Sequence, residues 1–318
     1  MPTLLLLARY ITARLHLATI SCIAIAFVFT LFTSKTAQTF AQEKKFKELV
    51  DAQRDIVYVK RQKPDWTGKL DLYRLKEKVK EDKPMPVIVW VHGGGWRAGS
   101  KNRCPALYLV PKGYAVVSVS YRLSQVAKFP APIHDCKAAI RFLRANSKKY
   151  NLDPKRIGVW GASAGGHLVS LLGTTADVKA LNADPNKPTY PDRSSAVNCV
   201  INFFGPTDFD ALIQGKARND PANPVAQLLG GTVAKKIKLA QHASPIYHVT
   251  KDDAPHLFMH GDRDSLVPLK QSELLHAALE KVGVKTSLYV VKGKGHGFGG
   301  ADIVRRVTAF FDEHLMQD

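Results

Sequence analysis

The sequence predicts an α/β fold with a mostly parallel central sheet and helices on both faces. Three observations carry that expectation. Continuous apolar runs at 86–91, 114–120 and 196–204 have the character of strands buried on both sides. Between them lie stretches with helical spacing, such as 131–149, where Ile133, Cys136, Ile140 and Leu143 recur with Lys and Arg on the other side. Finally, Gly161-Ala162-Ser163-Ala164-Gly165 stands between a short apolar run, Arg156–Trp160, and an apolar helical stretch that starts at His167. Strands alternating with helices imply right-handed crossovers and hence parallel pairing.

Residues 1–41 read as a targeting segment. They hold Arg9, Arg14 and Lys35 but no acidic residue, an uncharged stretch from Leu17 to Ser34, and a small-x-small site at Thr39-Phe40-Ala41. The competing reading is an uncleaved membrane anchor, since these 18 uncharged residues approach the roughly 20 that span a bilayer. Cleavage is the reading preferred, with a secreted or periplasmic product. Cys22 does not suit a lipoprotein, because most of the apolar run follows it. Residues 42–318 are then one α/β domain of 277 residues, long enough for a well-filled core.

The formal net charge is +19, and +16 once the three basic residues of the leader are discounted. The lysines are scattered, as in Lys44-Lys45, Lys148-Lys149 and Lys235-Lys236, with no aromatic-interleaved basic stripe, which argues against a nucleic-acid partner. Cys104, Cys136 and Cys199 allow at most one disulfide, and no Cys/His cluster has zinc-site spacing. No cofactor is expected.

Taken in order, residues 42–55 are charged and peripheral, and 55–60 and 69–75 alternate with period two, as half-exposed antiparallel strands do. After the buried strand 86–91, a helix is expected at 101–111, a strand at 114–120 and a helix at 131–149. The run before Ser163 is the next strand. Asp184-Pro185, Lys187-Pro188 and Tyr190-Pro191 mark 177–195 as a loop before the strand 196–204. Residues 205–255 contain no clear strand and read as a helical excursion over the site. Strands at 256–260 and 286–291, a helix at 270–282 and an amphipathic helix at 304–315 complete the chain. There are no internal repeats.

A G-x-S-x-G on a strand-to-helix turn forces unusual backbone angles on its serine, and the small flanking residues permit it. Ser163 is the candidate nucleophile. The run 86–91 delivers His92-Gly93-Gly94-Gly95-Trp96, whose glycines leave backbone N–H groups bare. The amides of Gly94, Gly95 and Ala164 are the candidates to receive a developing oxyanion, and His92 reads as a brace for the loop. A serine hydroxyl needs a base and the base needs a carboxylate. Ligands bind beyond the carboxyl ends of parallel strands, so the base is expected there. His296, between Gly295 and Gly297 after the last strand, is the candidate, whereas His276 and His314 lie within helices and read as surface residues. For the carboxylate, Asp264 is preferred. Asp262 in the same loop suits a turn, Asp208 after an earlier strand is the other alternative, and Asp135 reads as structural.

The chain resembles the α/β-hydrolase superfamily and, within it, the secreted acetyl-esterase/lipase-like carboxylesterases. It carries HGGGW at 92–96, Tyr121-Arg122, G-x-S-A-G-G-H at 161–167, H-G-x-x-D-x-x-V-P at 260–268 and G-H-G-F at 295–298, in the order of that family. The resemblance implies Ser163, Asp264 and His296 as a triad, because the family's acid stands two residues before Leu266 and four before Pro268. It also implies kinship with bacterial esterases that remove acetyl or feruloyl groups from plant polysaccharides, so a small-molecule or polysaccharide ester is the expected substrate. Prolyl-peptidase catalytic domains share the late motifs but normally bear a propeller that 277 residues cannot contain.

Two other readings compete: a lipase for longer acyl chains, and a binding protein on a hydrolase scaffold. Pro206, Pro221, Pro224, Gly230-Gly231, Lys216, Arg218, Lys235, Lys236 and Lys238 give 205–255 a poor composition for an apolar lid. A short acyl pocket under a polar, cationic rim is therefore expected.

Overall fold

The computed structural model describes residues 46, 48–76, 83–182, 184 and 189–316. The expected targeting segment, residues 1–41, lies outside them. Apart from Val50, the elements below belong to one unit, Asp51–Asp318. Among the described residues eight strands form one sheet: β1 (Val50–Gln62), β2 (Asp65–Leu75), β3 (Met85–Val91), β4 (Ala115–Val119), β5 (Leu152–Ala162), β6 (Cys199–Phe203), β7 (His256–Gly261) and β8 (Thr286–Val291), in the spatial order β1-β2-β4-β3-β5-β6-β7-β8. β2 runs antiparallel to β4, and every pair from β4–β3 through β7–β8 is parallel. β3 and β4 are buried at every residue, as their unbroken apolar runs predict.

Four long helices cover the sheet: α1 (Ala131–Ala145), α2 (Ala164–Thr174), α3 (Lys270–Lys281) and α4 (Ala301–Leu315). They take both faces. A Cβ on Gly158 of β5 would touch Phe311 and Leu315 of α4, at 2.9 Å each, while its neighbour Val159 joins the cluster that contains Ile133 of α1 and Leu168 of α2. This is the α/β-hydrolase fold that the sequence led us to expect.

Several local expectations change. Residues 105–112 form 3₁₀ turns rather than an α-helix; Pro111 inside the segment has no N–H to continue an i−4 ladder. The helix expected at 131–149 ends at Ala145 on Asn146, whose side-chain Nδ2 donates to the Phe142 carbonyl at 2.9 Å, and a separate turn follows at Ser147–Tyr150. Within the expected loop 177–195 a single helical turn, Lys179–Asn182, is held by the buried Lys137, which donates to the Thr175 carbonyl and to Asn182 Oδ1. The excursion 205–255 is a set of short helices, Phe209–Leu212, Pro224–Leu229 and Ile237–His242, with 3₁₀ turns at Gly215–Asn219 and Pro245–His248. Cys104, Cys136 and Cys199 are all free thiols.

Beyond β4, Arg122 is clamped to Asp135 of α1, donating from Nε at 2.7 Å, from Nη2 at 2.8 Å and from its own backbone N–H at 3.0 Å. The Asp135 side chain is fully buried, with Arg61 as a second cation at 3.6 Å. Removing one partner of such a pair strands the other charge, which typically costs about 3–5 kcal/mol. Arg122→Ala is therefore expected to lower the denaturation midpoint sharply; a loss below ~1 kcal/mol would show that the clamp contributes little.

Candidate active site

β5 ends at Ala162, α2 begins at Ala164, and Ser163 between them holds φ 54° and ψ −121°. The turn is close-packed. A Cβ on Gly165 would lie 2.0 Å from the Val91 carbonyl oxygen, and one on Gly161 would lie 2.3 Å from the Gly165 carbonyl oxygen. Only glycine fits at either position, and their absent side chains let β5, β3 and α2 approach one another. The Ser163 N–H donates to the Phe203 carbonyl at 2.8 Å, and the Ser163 carbonyl accepts from the His167 N–H at 3.0 Å.

The structure brings Ser163, His296 and Asp264 together. His296 Nε2 lies 2.9 Å from Ser163 Oγ, and His296 Nδ1 lies 2.7 Å from Asp264 Oδ2. With Nδ1–H donating to a carboxylate, Nε2 is left bare to accept the serine proton. The Asp264 side chain is fully buried, and that of His296 is 19 % exposed. Asp264 Oδ1 accepts from the N–H groups of Leu266 and Val267, at 2.9 and 3.0 Å. The other carboxylates are committed elsewhere. Asp262 Oδ1 accepts from the Gly293 N–H at 2.6 Å, tying two loops. Asp208 caps the helix Phe209–Leu212 through the N–H groups of Asp210 and Ala211. Asp135 is the partner of Arg122 described above.

Gly94, Gly95 and Ala164 line the same cavity as Ser163 and His296. Gly94 stands at φ 109°, where a Cβ would lie 2.3 Å from the Ala98 carbonyl oxygen, and Gly95 at φ 58°. Ala164 is the first residue of α2, so its N–H has no intrahelical acceptor. His92 braces the loop. Its Nδ1–H donates to the Gly93 carbonyl at 2.8 Å, and its ring stacks on Tyr121 at 4.4 Å. Burial holds the His92 pKa below the ordinary histidine value.

Sequence reasoning missed three neighbours of the site. His260 packs behind the acid. Its Nε2–H points at the Val267 carbonyl at 2.8 Å and at Asp264 Oδ2 at 3.3 Å, while Nδ1 accepts from the Ser272 hydroxyl at 2.8 Å. Burial lowers its pKa, so it stays neutral and serves the carboxylate as a donor. Phe204 lies against the His296 ring at 4.5 Å and lines the cavity. His167 accepts the Trp96 indole N–H on Nδ1 at 3.2 Å. The signal for Phe204 was its place at the carboxyl end of β6; nothing in the sequence marked the contacts of His260 and His167. His276 and His314 are half-buried rather than at the surface, because their helices pack against the sheet; His276 Nδ1 lies 3.1 Å from Thr286 Oγ1 at the start of β8.

The cavity measures about 790 Å³. The excursion contributes Pro206, Leu212, Ile213, Ala217, Asn223, Pro224 and Val225 to its wall, and none of Lys216, Lys235, Lys236 or Lys238, which are exposed. In the lining itself the cationic side chain is Arg97, and the exposed lysines of the excursion stand outside it. Phe209–Leu212 and Pro224–Leu229 carry no lysine and turn apolar side chains to the cavity, while the lysines stand on the other turns, a division that mean composition over fifty residues cannot reveal. Among the described residues no group of acidic, His and Cys side chains is arranged to hold a metal ion.

A family model, BD-FAE, matches residues 70–279. The chain belongs to the BD-FAE family. Esterase LipC of Mycobacterium tuberculosis is 31 % identical over 241 residues, covering 74 % of this chain and 58 % of its own. The chain spans about half the length of the first curated relatives it matches. Among solved structures, a truncated carbohydrate esterase from gut microbiota superposes with a TM-score of 0.76 at 32 % identity, covering 84 % of this chain and 97 % of its own. An acetyl ester-xyloside bifunctional hydrolase from Caldicellulosiruptor lactoaceticus gives a TM-score of 0.64 at 30 % identity, covering 81 % and 93 %.

The geometry of this BD-FAE site separates the three carboxylates by reactivity. A fluorophosphonate probe is expected to label Ser163, and Asp264→Asn to slow labelling by about 10⁴, because the imidazole loses the acceptor that fixes its tautomer. Asp262→Asn and Asp208→Asn are expected to stay within about tenfold of wild type. Slow labelling of the Asp262 variant with fast labelling of the Asp264 variant would move the acid.

Proposed function

We propose that the protein is a serine carboxylic-ester hydrolase that works through an acyl-enzyme on short-chain, acetyl-like esters of a small-molecule or polysaccharide alcohol. One observation carries this reading: an unbroken hydrogen-bonded path from Asp264 through His296 to Ser163 Oγ, opening on a cavity that a glycine loop also lines. Ser163 attacks the ester carbonyl while His296 Nε2 takes its proton. Asp264 holds the imidazole and stabilises the imidazolium. The amides of Gly94, Gly95 and Ala164 receive the oxyanion. His296 then protonates the departing alcohol, and in the second half activates the water that frees Ser163. The backbone donors supply the electrostatic stabilisation, so the scheme runs on the chain's own groups.

The carbohydrate alcohol is supported by what the similar structures are, a carbohydrate esterase and an acetyl ester-xyloside hydrolase. The apolar wall of Leu212, Ile213, Pro224 and Val225 favours a second reading, a lipase for longer acyl chains. Nitrophenyl esters of rising chain length decide between them. Highest kcat/KM is expected from acetyl to butyryl, with acetate released from acetylated xylan; faster turnover of decanoate than of butyrate favours the lipase. Ser163→Ala is expected to lower kcat by a factor of about 10⁴ to 10⁶ with an unchanged circular-dichroism spectrum. Retained turnover would sink the assignment, and a wild type without turnover would favour the binding protein.

Export belongs to the same proposal and rests on the sequence of residues 1–41. N-terminal sequencing of the protein from its native host is expected to begin near Gln42. An intact Met1 in the membrane fraction would favour the anchor.

A further inference from the structure

The tetrahedral intermediate is stabilised only if two separate pieces of backbone are held at a fixed distance. Gly94 and Gly95 sit on the loop after β3, and Ala164 sits at the start of α2. The start of the loop packs on the elbow, where a Cβ on Gly93 would lie 2.8 Å from the Ala162 carbonyl oxygen, but Gly94 and Gly95 beyond it face Ala98, Gly99, Arg97 and Pro224 rather than α2. The loop's own hydrogen bonds, from the N–H groups of Arg97 and Ala98 to the Gly94 carbonyl, close it without attaching it to α2.

Trp96 and His167 make the attachment. Trp96 follows Gly95 directly and holds φ 57°, a left-handed conformation that a bulky residue adopts only under constraint from its surroundings. His167 lies four residues after Ser163, one turn into α2, and its N–H donates to the Ser163 carbonyl. Both side chains are buried. The Trp96 indole N–H donates to His167 Nδ1 at 3.2 Å, and the two rings meet edge to face at 5.1 Å. An indole N–H can only donate, so Nδ1 is the bare nitrogen, and the proton sits on Nε2, which donates to the Ala243 carbonyl at 2.7 Å. Phe209 closes the cluster, stacked on His167 at 4.7 Å and edge-on to Trp96 at 5.4 Å. Burial depresses the His167 pKa to about 4, which keeps the ring in the neutral tautomer that both partners require.

We infer that Trp96 and His167 are positioning residues whose hydrogen bond sets the glycine-loop amides against the N-terminus of α2 for the oxyanion. The inference rests on the esterase reading above. Trp96 lines the cavity and His167 does not, but the role inferred for both runs through backbone. Each acts by placing backbone that meets the oxyanion, and a small displacement of such donors is enough to cost a large factor in rate.

The test separates this role from packing. Trp96→Phe keeps an aromatic ring against His167 and Phe209 but deletes the N–H. It is expected to lower kcat on nitrophenyl acetate by about ten- to a hundredfold, with KM within about twofold. A trifluoromethyl ketone, which binds as a tetrahedral adduct of Ser163, is expected to lose affinity by the same factor as kcat/KM. His167→Asn offers an amide oxygen where Nδ1 stands, so it is expected to keep kcat within about threefold although it gives up the Ala243 bond, while His167→Leu, of similar shape but without an acceptor, falls with Trp96→Phe. Equal activity of the Asn and Leu variants, or a folded Trp96→Phe enzyme with wild-type kcat and inhibitor affinity, overturns the inference. If the Leu variant does not fold, the comparison of Trp96→Phe with His167→Asn decides in the same way. The esterase reading fails separately, by a wild-type enzyme without Ser163-dependent turnover.

Discussion

A serine fixed at φ 54° and ψ −121° is costly on its own, by about 1–3 kcal/mol, and persists only where the surroundings leave no alternative. Here the surroundings are three pieces of backbone. The Gly165 α-carbon lies so near the Val91 carbonyl that no side chain fits, and Gly161 is closed off by Gly165 in the same way. The Phe203 carbonyl takes the serine N–H from the other side. β3, β5 and β6 are the strands involved, so the centre of the parallel sheet is what holds the strain. The order β4-β3-β5-β6-β7-β8 then brings the loops after β7 and β8, with Asp264 and His296, to the same edge.

The acid shows how burial and hydrogen bonding combine. Asp264 has no exposed side-chain surface, yet both its oxygens are supplied: Oδ1 by two backbone N–H groups, Oδ2 by His296 and by His260 behind it. A buried carboxylate without such donors would be driven toward its neutral form. The same loop that presents it therefore also supplies the donors that its buried oxygens need.

What could be read from the sequence was local and periodic. The apolar runs of β3 and β4, the small residues around Ser163 and the glycines flanking His296 each state their own backbone requirement within a few residues. Asp262 and Asp264 are separated by one position, and only the turn geometry distinguishes the residue that ties Gly293 from the one that faces His296. What could not be read depends on contacts between distant residues. His260 and His167 lie within apolar strand and helix patterns that would suit core residues of any kind, and their tautomers follow from partners such as Ser272 and Trp96. The excursion was legible only in the mean. Its turns of four to six residues sort side chains one by one, so that Leu212, Ile213 and Val225 reach the cavity while the lysines face solvent.

The central claim is that the acyl group passes through Ser163. Acid quenching of the enzyme during turnover of a slowly deacylating ester, followed by peptide mapping by mass spectrometry, tests it directly. The account predicts an acyl group on Ser163 that appears within the first turnover and decays as the ester is exhausted. Steady hydrolysis with Ser163 unmodified at every quench time, or with the acyl group on another residue, would contradict it.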